Sequence, residues 1–417
     1  MTHPLSAIPA AFHAGRPRGI TSVCSAHPIV IEAALRLALE TGQPALIEAT
    51  CNQVNQDGGY TGMTPAGFRA FVDGIAGTVG LAPDRIILGG DHLGPNPWKT
   101  LHAEAAMEKA EEMIAAFAAA GFTKLHLDCS MGCAGEPVAL DDTVTAARAA
   151  RLAAAAEAHK AGADPVYVIG TEVPVPGGAL DALDHLTVTE PAAVAATYAA
   201  HRAAFAAAGA GAAFARVIAL VVQPGVEFGH DTVVPFAHEG AAALTESLAG
   251  LPGLVFEAHS TDYQSEAGLA ALARGGFAIL KVGPWLTFAL REALYGLDAI
   301  ADVLDGHPPR GGLMAEMDAV MLAAPGHWQR YYEGSERAIW LQRHFSYSDR
   351  IRYYWPDRRA EHAVERLLRR LEGRRIPETV LGQYLPRASG RGFAREILLG
   401  AITDVLRIYA RATSPGS

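Results

Sequence analysis

The sequence predicts a parallel (β/α)8 barrel, the TIM-barrel architecture of the α/β class, followed by a helical C-terminal extension. Three observations carry this. From Gly19 onward, short β-branched runs alternate with longer Ala-, Leu- and Glu-rich stretches of helical spacing, with turn residues between them. The alternation repeats eight times, and eight consecutive βα units close a barrel. After about Gly306 the strands stop while helical periodicity continues. A doubly wound open sheet alternates in the same way, but the number of units and the gathering of polar residues at strand ends favour the barrel.

The eight candidate strands are Ile20–Ser25, Ala45–Thr50, Arg85–Asp91, Lys124–Asp128, Val166–Glu172, Arg216–Gln223, Leu254–His259 and Phe277–Val282. Helical patterns follow them, among them Ile29–Thr41, Pro65–Val79, Leu101–Ala120, Val144–Ala161, Ala192–Gly209 and Glu266–Arg274. The extension reads as Met314–Ala323, Ser335–Trp355, Arg358–Arg370 and Ala394–Ala412. Residues 1–306 are thus expected to form the barrel and 307–417 the extension, with the boundary near Pro308–Gly312.

Composition removes several classes of function. The 417 residues are half hydrophobic, and 34 Lys and Arg stand against 44 Asp and Glu for a net charge of −10. With no sustained basic run, the chain lacks the footprint of a nucleic-acid or anionic-membrane binder. It has neither a signal-type apolar run at its start nor a stretch long enough to span a bilayer. Four cysteines without a C-x-x-C pair are too few for a disulfide framework, which points to a reduced, cytoplasmic protein.

Barrel enzymes draw their chemistry from the C-terminal ends of the strands and the loops that follow. That rule collects Asp91 and His92 after the third strand, Asp128 after the fourth, Glu172 at the fifth, Gln223 and Glu227 after the sixth, His259 at the seventh and Lys281 at the eighth. Polar groups crowded into a barrel mouth are costly to desolvate unless paired or bound to a metal or ligand. Asp91-His92 ends an apolar strand between Gly89-Gly90 and the breaks at Pro95 and Pro97. Imidazole is a common zinc ligand, and an adjacent carboxylate suits proton transfer; an isolated strand-end histidine is more often an ordinary hydrogen-bonded residue. His259 is a second candidate ligand, with Glu257 on the same strand face. Ser260, Thr261 and the next helix N-terminus offer donors to an anion, although Ser-Thr-Asp also suits a helix cap. Beyond the sixth strand, Glu227 and His230 are alternative ligands between which the spacing does not choose. Glu172 reads as an acid/base or a supporting carboxylate. Lys281 is compatible with a Schiff-base lysine, with an ion pair to Glu48, Asp128 or Glu257, and with a substrate contact.

Gly89 and Gly94 have the separation of a nucleotide-binding P-loop, but Pro95-Asn96 stands where Lys-Ser/Thr belongs. Nucleotide binding has no support. Cys129 and Cys133 near His126 lack zinc-site spacing and read as packed or loop thiols. The segment SYSDRIRYYW, Ser346–Trp355, sets Arg350 and Arg352 among four aromatics. It either packs the extension against the barrel or reaches over the mouth to bind a phosphate.

The runs IEATCNQVNQDGGYTGMTP (Ile47–Pro65), GGDHLGPNPW, QPGVEFGHDTV, FEAHSTDYQS and ILKVGPWLTFALREAL resemble the GatZ/KbaZ family, the so-called non-catalytic subunits of class II D-tagatose-1,6-bisphosphate aldolase. The resemblance covers the barrel and much of the C-terminal part. It implies kinship with zinc-dependent class II aldolases, in which Asp91 matches an acid/base, His92 and His259 match zinc ligands, and Glu172 matches a carboxylate before a Gly-Gly turn. The aldolases' histidine after strand six has no clean counterpart. Aligning its turn on Gly225-Val226-Glu227 puts Glu227 in the ligand position, with His230 as the alternative, a departure that tells against aldolase activity. Some family members are regarded as 4-epimerases that interconvert D-fructose 6-phosphate and D-tagatose 6-phosphate. The resemblance therefore implies a 4-epimerase of a ketohexose or its 6-phosphate that uses Zn2+ or another divalent metal. Asp91 and Glu172 would be catalytic, His92, Glu227 and His259 would bind metal, and Asp128, Ser260, Asp262 and Lys281 would contact substrate. The competing expectations are an accessory protein, partnered by an aldolase catalytic subunit or by its own copies, and a Schiff-base aldolase acting through Lys281.

Overall fold

The computed structural model describes residues 3–170, 186–388 and 390–414. Eight parallel strands form a closed barrel: β1 (Ile20–Cys24), β2 (Ala45–Thr50), β3 (Ile86–Leu93), β4 (Lys124–Leu127), β5 (Val166–Ile169), β6 (Val217–Val222), β7 (Val255–Ala258) and β8 (Phe277–Val282). Each lies beside its neighbour in sequence, and β8 returns to β1 with Leu280 opposite Thr21. The strands occur where periodicity places them, within two residues at each end for all but the fifth. That strand ends at Ile169, and its expected terminus at Glu172 falls outside the described residues.

The helices are α1 (Ala7–His13), α2 (Pro28–Thr41), α3 (Pro65–Val79), α4 (Ala103–Ala119), α5 (Asp142–His159), α6 (Pro191–Ala207), the short α7 (Gly211–Phe214) and α8 (Ala242–Ser247), α9 (Glu266–Arg274) and α10 (Pro284–Leu304). Their starts follow from local chemistry. Proline sits in the first turn of α2, α3, α6 and α10, where its missing N–H is not needed. The side chains of Thr64, Asp141 and Ser265 cap α3, α5 and α9.

The barrel interior is divided by polarity. Its lower layer is apolar, with Leu46, Ile87, Val166, Val168, Val221, Val255 and Ile279 packed against Leu5 and Ile8. Those two residues belong to α1 and the turn before it, which close the bottom of the barrel; this element lies ahead of the strands and helices that the periodicity predicts. The upper layer is charged and buried, and it holds Glu48, Asp91, Lys124, His126, Glu257 and Lys281.

After Gly306 come α11 (Gly312–Ala323), α12 (Glu336–Phe345), α13 (Arg358–Leu371), α14 (Glu378–Tyr384) and α15 (Ala394–Thr413). Their apolar residues join the same core cluster as the barrel helices. α15 lies against α2, α9 and α10, and the Thr413 carbonyl accepts from Gly19 N–H at 3.0 Å. The single helix expected over Ser335–Trp355 is corrected: α12 stops at Phe345, Asp349 takes a left-handed φ of 45°, and Arg350–Tyr354 form a 3-10 turn. Short polar side chains interrupt it, with Ser348 N–H turning to Ser346 Oγ at 3.2 Å. Among the described residues no helix is long and apolar enough to cross a membrane.

Because Ile8 stoppers the apolar end of the barrel, far from the charged layer, Ile8→Ala is expected to lower stability by about 2–5 kcal/mol. The midpoint of chemical denaturation checks this, and turnover of the folded protein should be unchanged.

Candidate metal centre and active site

The strand alternation that buries one face of β4 also points Lys124 and His126 into the barrel, and neither side chain has any solvent exposure. Lys124 Nζ lies 2.6 Å from Glu48 Oε1 and 2.6 Å from Glu257 Oε2. Glu48 is also 3.5 Å from Lys281 Nζ, and Lys281 forms a short ion pair with Asp91 Oδ2. Two buried lysines thus offset two of three buried carboxylates beneath the mouth, and the layer keeps one net negative charge. Burial works to lower the Lys281 pKa, but Asp91 foremost, with Cys24 and Glu48, reverses this and raises it well above the usual lysine value.

Above this layer, Asp91, His92, His126 and His259 each place a donor atom so that all four lie within 4.8 Å of one another. The imidazole centroids are 4.9 to 5.4 Å apart. The β3–β4 register slips between Gly90 and Leu93, and inside that slip His92 takes a left-handed φ of 49°. Ser260, next to His259, is also left-handed, at 50°. Non-glycine residues adopt this conformation at a cost of about 1–3 kcal/mol, and such strain gathers at functional sites.

Each histidine is oriented by an acceptor on one ring nitrogen. His92 Nδ1 donates to Asp128 Oδ2 at 2.8 Å, His126 Nε2 to the Gly170 carbonyl at 2.9 Å, and His259 Nε2 to Glu257 Oε1 at 3.0 Å. That is how metal-binding histidines are held, with the tautomer fixed and the second nitrogen turned to the site. His126 Nδ1 then faces Asp91 Oδ1 at 2.9 Å. Burial lowers the His126 pKa, but the hydrogen bond and charge of Asp91 outweigh it and raise it, so a proton holds that contact; the gathering of all four donor atoms within 4.8 Å is what fits a divalent metal. Three imidazoles with a further position left open suit zinc, and Asp91 stands beside them. Burial, then the charge of Lys281, pushes the His259 pKa down to about 3, which keeps its imidazole neutral. Burial raises the Asp91 pKa, but His92 and Lys281 outweigh it and hold this carboxyl well below its ordinary value.

A cavity of about 380 Å³ opens above the cluster, within the size range of small-molecule sites. Asp91, His92, Asp128, His259, Ser260, Asp262 and Lys281 all line it, so the structure brings together seven of the residues singled out from sequence. Glu172 lies outside the described residues. Glu227 is not in the four-residue group; its carboxylate accepts from Ser260 Oγ at 3.1 Å and from Phe228 N–H at 2.9 Å, and burial pushes its pKa up to about 7. His230 turns to the extension, with Nδ1 3.0 Å from Ser346 Oγ and its carbonyl accepting from Tyr347 N–H. Beside Asp91, His92 and His259 the four-residue group instead holds His126. Its signal was the two-residue alternation with Lys124, the same pattern that joined Glu257 to His259.

The P-loop spacing of Gly89 and Gly94 has a packing cause. A Cβ at Gly94 would stand 1.7 Å from the Asp128 carbonyl oxygen, and one at Gly89 would stand 2.7 Å from Glu48 Cγ. The extension completes the cavity wall with Arg330, Tyr331, Arg350, Arg352 and Tyr353.

Residues 5–414 match the family described as D-tagatose-1,6-bisphosphate aldolase subunit GatZ/KbaZ-like. A D-tagatose 6-phosphate 4-epimerase of Agrobacterium fabrum is 55% identical over the full length of both chains. A solved structure from Sinorhizobium meliloti, described as a probable tagatose 6 phosphate kinase, is 55% identical and superposes with a TM-score of 0.89 over 95% of this chain and 100% of that one. The fructuronate-tagaturonate epimerase UxaE of Cohnella laeviribosi, at 12% identity, shares the fold, with a TM-score of 0.50 over 95% of this chain and 82% of its own.

If the four-residue group is the metal centre, His92→Ala, His126→Ala and His259→Ala each weaken zinc binding by more than the 10–100-fold typical of outer-shell changes, while Glu227→Ala keeps its metal. Metal content after equilibrium dialysis measures this. Retention by His126→Ala with loss by Glu227→Ala would instead put the strand-six carboxylate in the coordination sphere.

Proposed function

The chain belongs to the GatZ/KbaZ-like family, and we propose that it is a divalent-metal-dependent 4-epimerase interconverting D-fructose 6-phosphate and D-tagatose 6-phosphate in the cytoplasm. The observation that carries this reading is the cluster of Asp91 with three oriented histidines, of which Asp91, His92 and His259 line one cavity of hexose-phosphate scale. The activity named for the Agrobacterium relative supports it.

C4 of a 2-ketohexose is not α to the carbonyl, so enolisation alone cannot invert it. Cleavage and re-formation of the C3–C4 bond can. Asp91, kept ionised by Lys281 and His92, takes the C4 hydroxyl proton. The C3–C4 bond breaks, its electron pair delocalises from C3 onto the C2 oxygen, and C4 becomes the aldehyde carbon of a three-carbon phosphate. Turning about C4–C5 presents the other aldehyde face, C3 adds back, and the new C4 alkoxide recovers the proton from Asp91. Nothing is oxidised or reduced overall. A divalent cation held by His92, His126 and His259 beside Asp91 would supply Lewis-acid stabilisation of the charge that develops on the C2 oxygen. Asp128 serves by orienting His92, and Ser260, Asp262 and Lys281 face the sugar from the cavity wall. Glu172 is the second acid/base candidate.

The same geometry opposes a Schiff base at Lys281. An amine held as ammonium by Asp91 and Glu48 is a poor nucleophile. The family's description as an aldolase subunit keeps the accessory-protein reading as the second one, and it predicts no turnover by the isolated chain.

The purified chain alone should convert D-fructose 6-phosphate to D-tagatose 6-phosphate, and a chelator should abolish the conversion. In D2O the product should carry no deuterium at C4, because that hydrogen stays on its carbon throughout bond cleavage. NMR reads both outcomes; deuterium at C4 would replace this route with direct deprotonation. Asp91→Asn should lower kcat by about 10²–10⁴-fold.

A further inference from the structure

The phosphate of a ketohexose 6-phosphate takes no part in the chemistry, but on the epimerase reading, on which this inference rests, it is the handle on the C4–C6 fragment while the aldehyde turns. In barrels such a group commonly docks on donors near strands seven and eight. Here those donors are already engaged. Asp262 Oδ1 accepts from Gly283 N–H at 3.0 Å and from Trp285 N–H at 2.7 Å, at the start of α10. Ser260 Oγ donates to Glu227 Oε2 at 3.1 Å, and Thr261 Oγ1 donates to the Lys281 carbonyl at 2.5 Å. A carboxylate of the chain itself stands where a phosphate would.

The loop over the mouth offers the opposite charge. Among the described residues four arginines are buried, and three pair with carboxylates: Arg148 with Glu136, Arg291 with Asp349, Arg343 with Asp318. Arg350, 6% exposed, has no carboxylate within 4.0 Å among the described residues. Its Nε donates to the His327 carbonyl, its guanidinium carbon lies 3.4 Å from the Tyr331 ring centroid, and among the described residues its terminal nitrogens donate to no group. Arg352 likewise has no carboxylate within 4.0 Å among the described residues; it donates to the carbonyls of Ser348 and Asp349 and to Tyr353 Oη at 3.0 Å. Both arginines line the cavity that holds the histidine cluster. A fixed cation withdrawn from water with no carboxylate in contact, as Arg350 is, is destabilising until an anion joins it. The loop that carries them is anchored: Asp349 accepts from Thr287 Oγ1 at 2.6 Å and Arg291 Nε at 3.4 Å, and Tyr263 Oη donates to the Tyr347 carbonyl at 2.7 Å.

We infer that Arg350 and Arg352 form the phosphate subsite. A phosphate monoester dianion docks on guanidinium groups supplied by the C-terminal extension rather than on the amides beside strands seven and eight, and this grip keeps the aldehyde fragment bound between cleavage and re-addition.

In Arg350→Met and Arg352→Met, kcat/KM for D-fructose 6-phosphate should fall by about 100-fold or more, with KM carrying most of the loss. Turnover of unphosphorylated D-fructose should fall far less, and free D-glyceraldehyde 3-phosphate should leak from the variants. Arg352→Lys should recover part of the affinity, because it keeps the charge and loses the planar fork. Inorganic phosphate alone should raise the melting temperature of the wild-type protein and raise it less in the variants; if Arg350→Met does not fold, the two Arg352 variants decide. Equal losses on both sugars, or an unaltered response to inorganic phosphate, would overturn the subsite. A wild-type protein that responds to inorganic phosphate through these arginines yet converts no D-fructose 6-phosphate would overturn the epimerase reading and leave the subsite standing.

Discussion

Lys124 sits with no solvent exposure between Glu48 and Glu257, and the site above depends on that contact. Charges in the middle of a barrel are tolerable only where opposite charge is in contact, and removing one partner of such a group typically costs about 3–5 kcal/mol. Each carboxylate it holds has a second duty. Glu257 orients His259, and Glu48 approaches Lys281, which in turn holds Asp91 beside His126. The catalytic end of the barrel is therefore one linked set of charges. The mutual desolvation of its members fixes their geometry more firmly than any loop could.

Placed on that floor, the mouth is shaped by what the backbone is made to do. His92 and Ser260 both take left-handed conformations, and the register slip beside His92 turns its ring towards His126 and His259. The lid of the cavity comes from far along the chain. Ser346 to Trp355 breaks from helix into a turn whose Asp349 is fixed to α10, and this break is what lets arginines face the mouth. A continuous helix through the same residues would have spread them around its circumference.

The barrel was legible because βα alternation is a strong signal and the apolar layers need nothing beyond hydrophobic period. Asp91, His92, His259 and Lys281 were legible because they stand at strand ends, where a positional rule finds them. His126 was less so, since it lies inside a strand: alternation with Lys124 turns it inward, but its approach to His92 depends on a register across β3 and β4 that no single strand encodes. Glu227 and His230 were singled out by their place after the sixth strand, but the turn beyond β6 directs one to Ser260 and the other to Ser346. The function of SYSDRIRYYW was open for the same reason: its charges acquire meaning from which cations elsewhere are paired, and pairing is a property of the folded chain. The helix α1 escaped notice because seven residues give too few turns to show a period.

The most direct test of a metal-dependent epimerase centre is reconstitution: strip the protein of metal, add zinc in fractional equivalents, and follow formation of D-tagatose 6-phosphate from D-fructose 6-phosphate at each addition. The account predicts that turnover starts near zero, rises in proportion to added zinc, and levels off at a single equivalent per chain, with no such rise in His126→Ala. Full turnover by the stripped protein, unmoved by zinc, would contradict it.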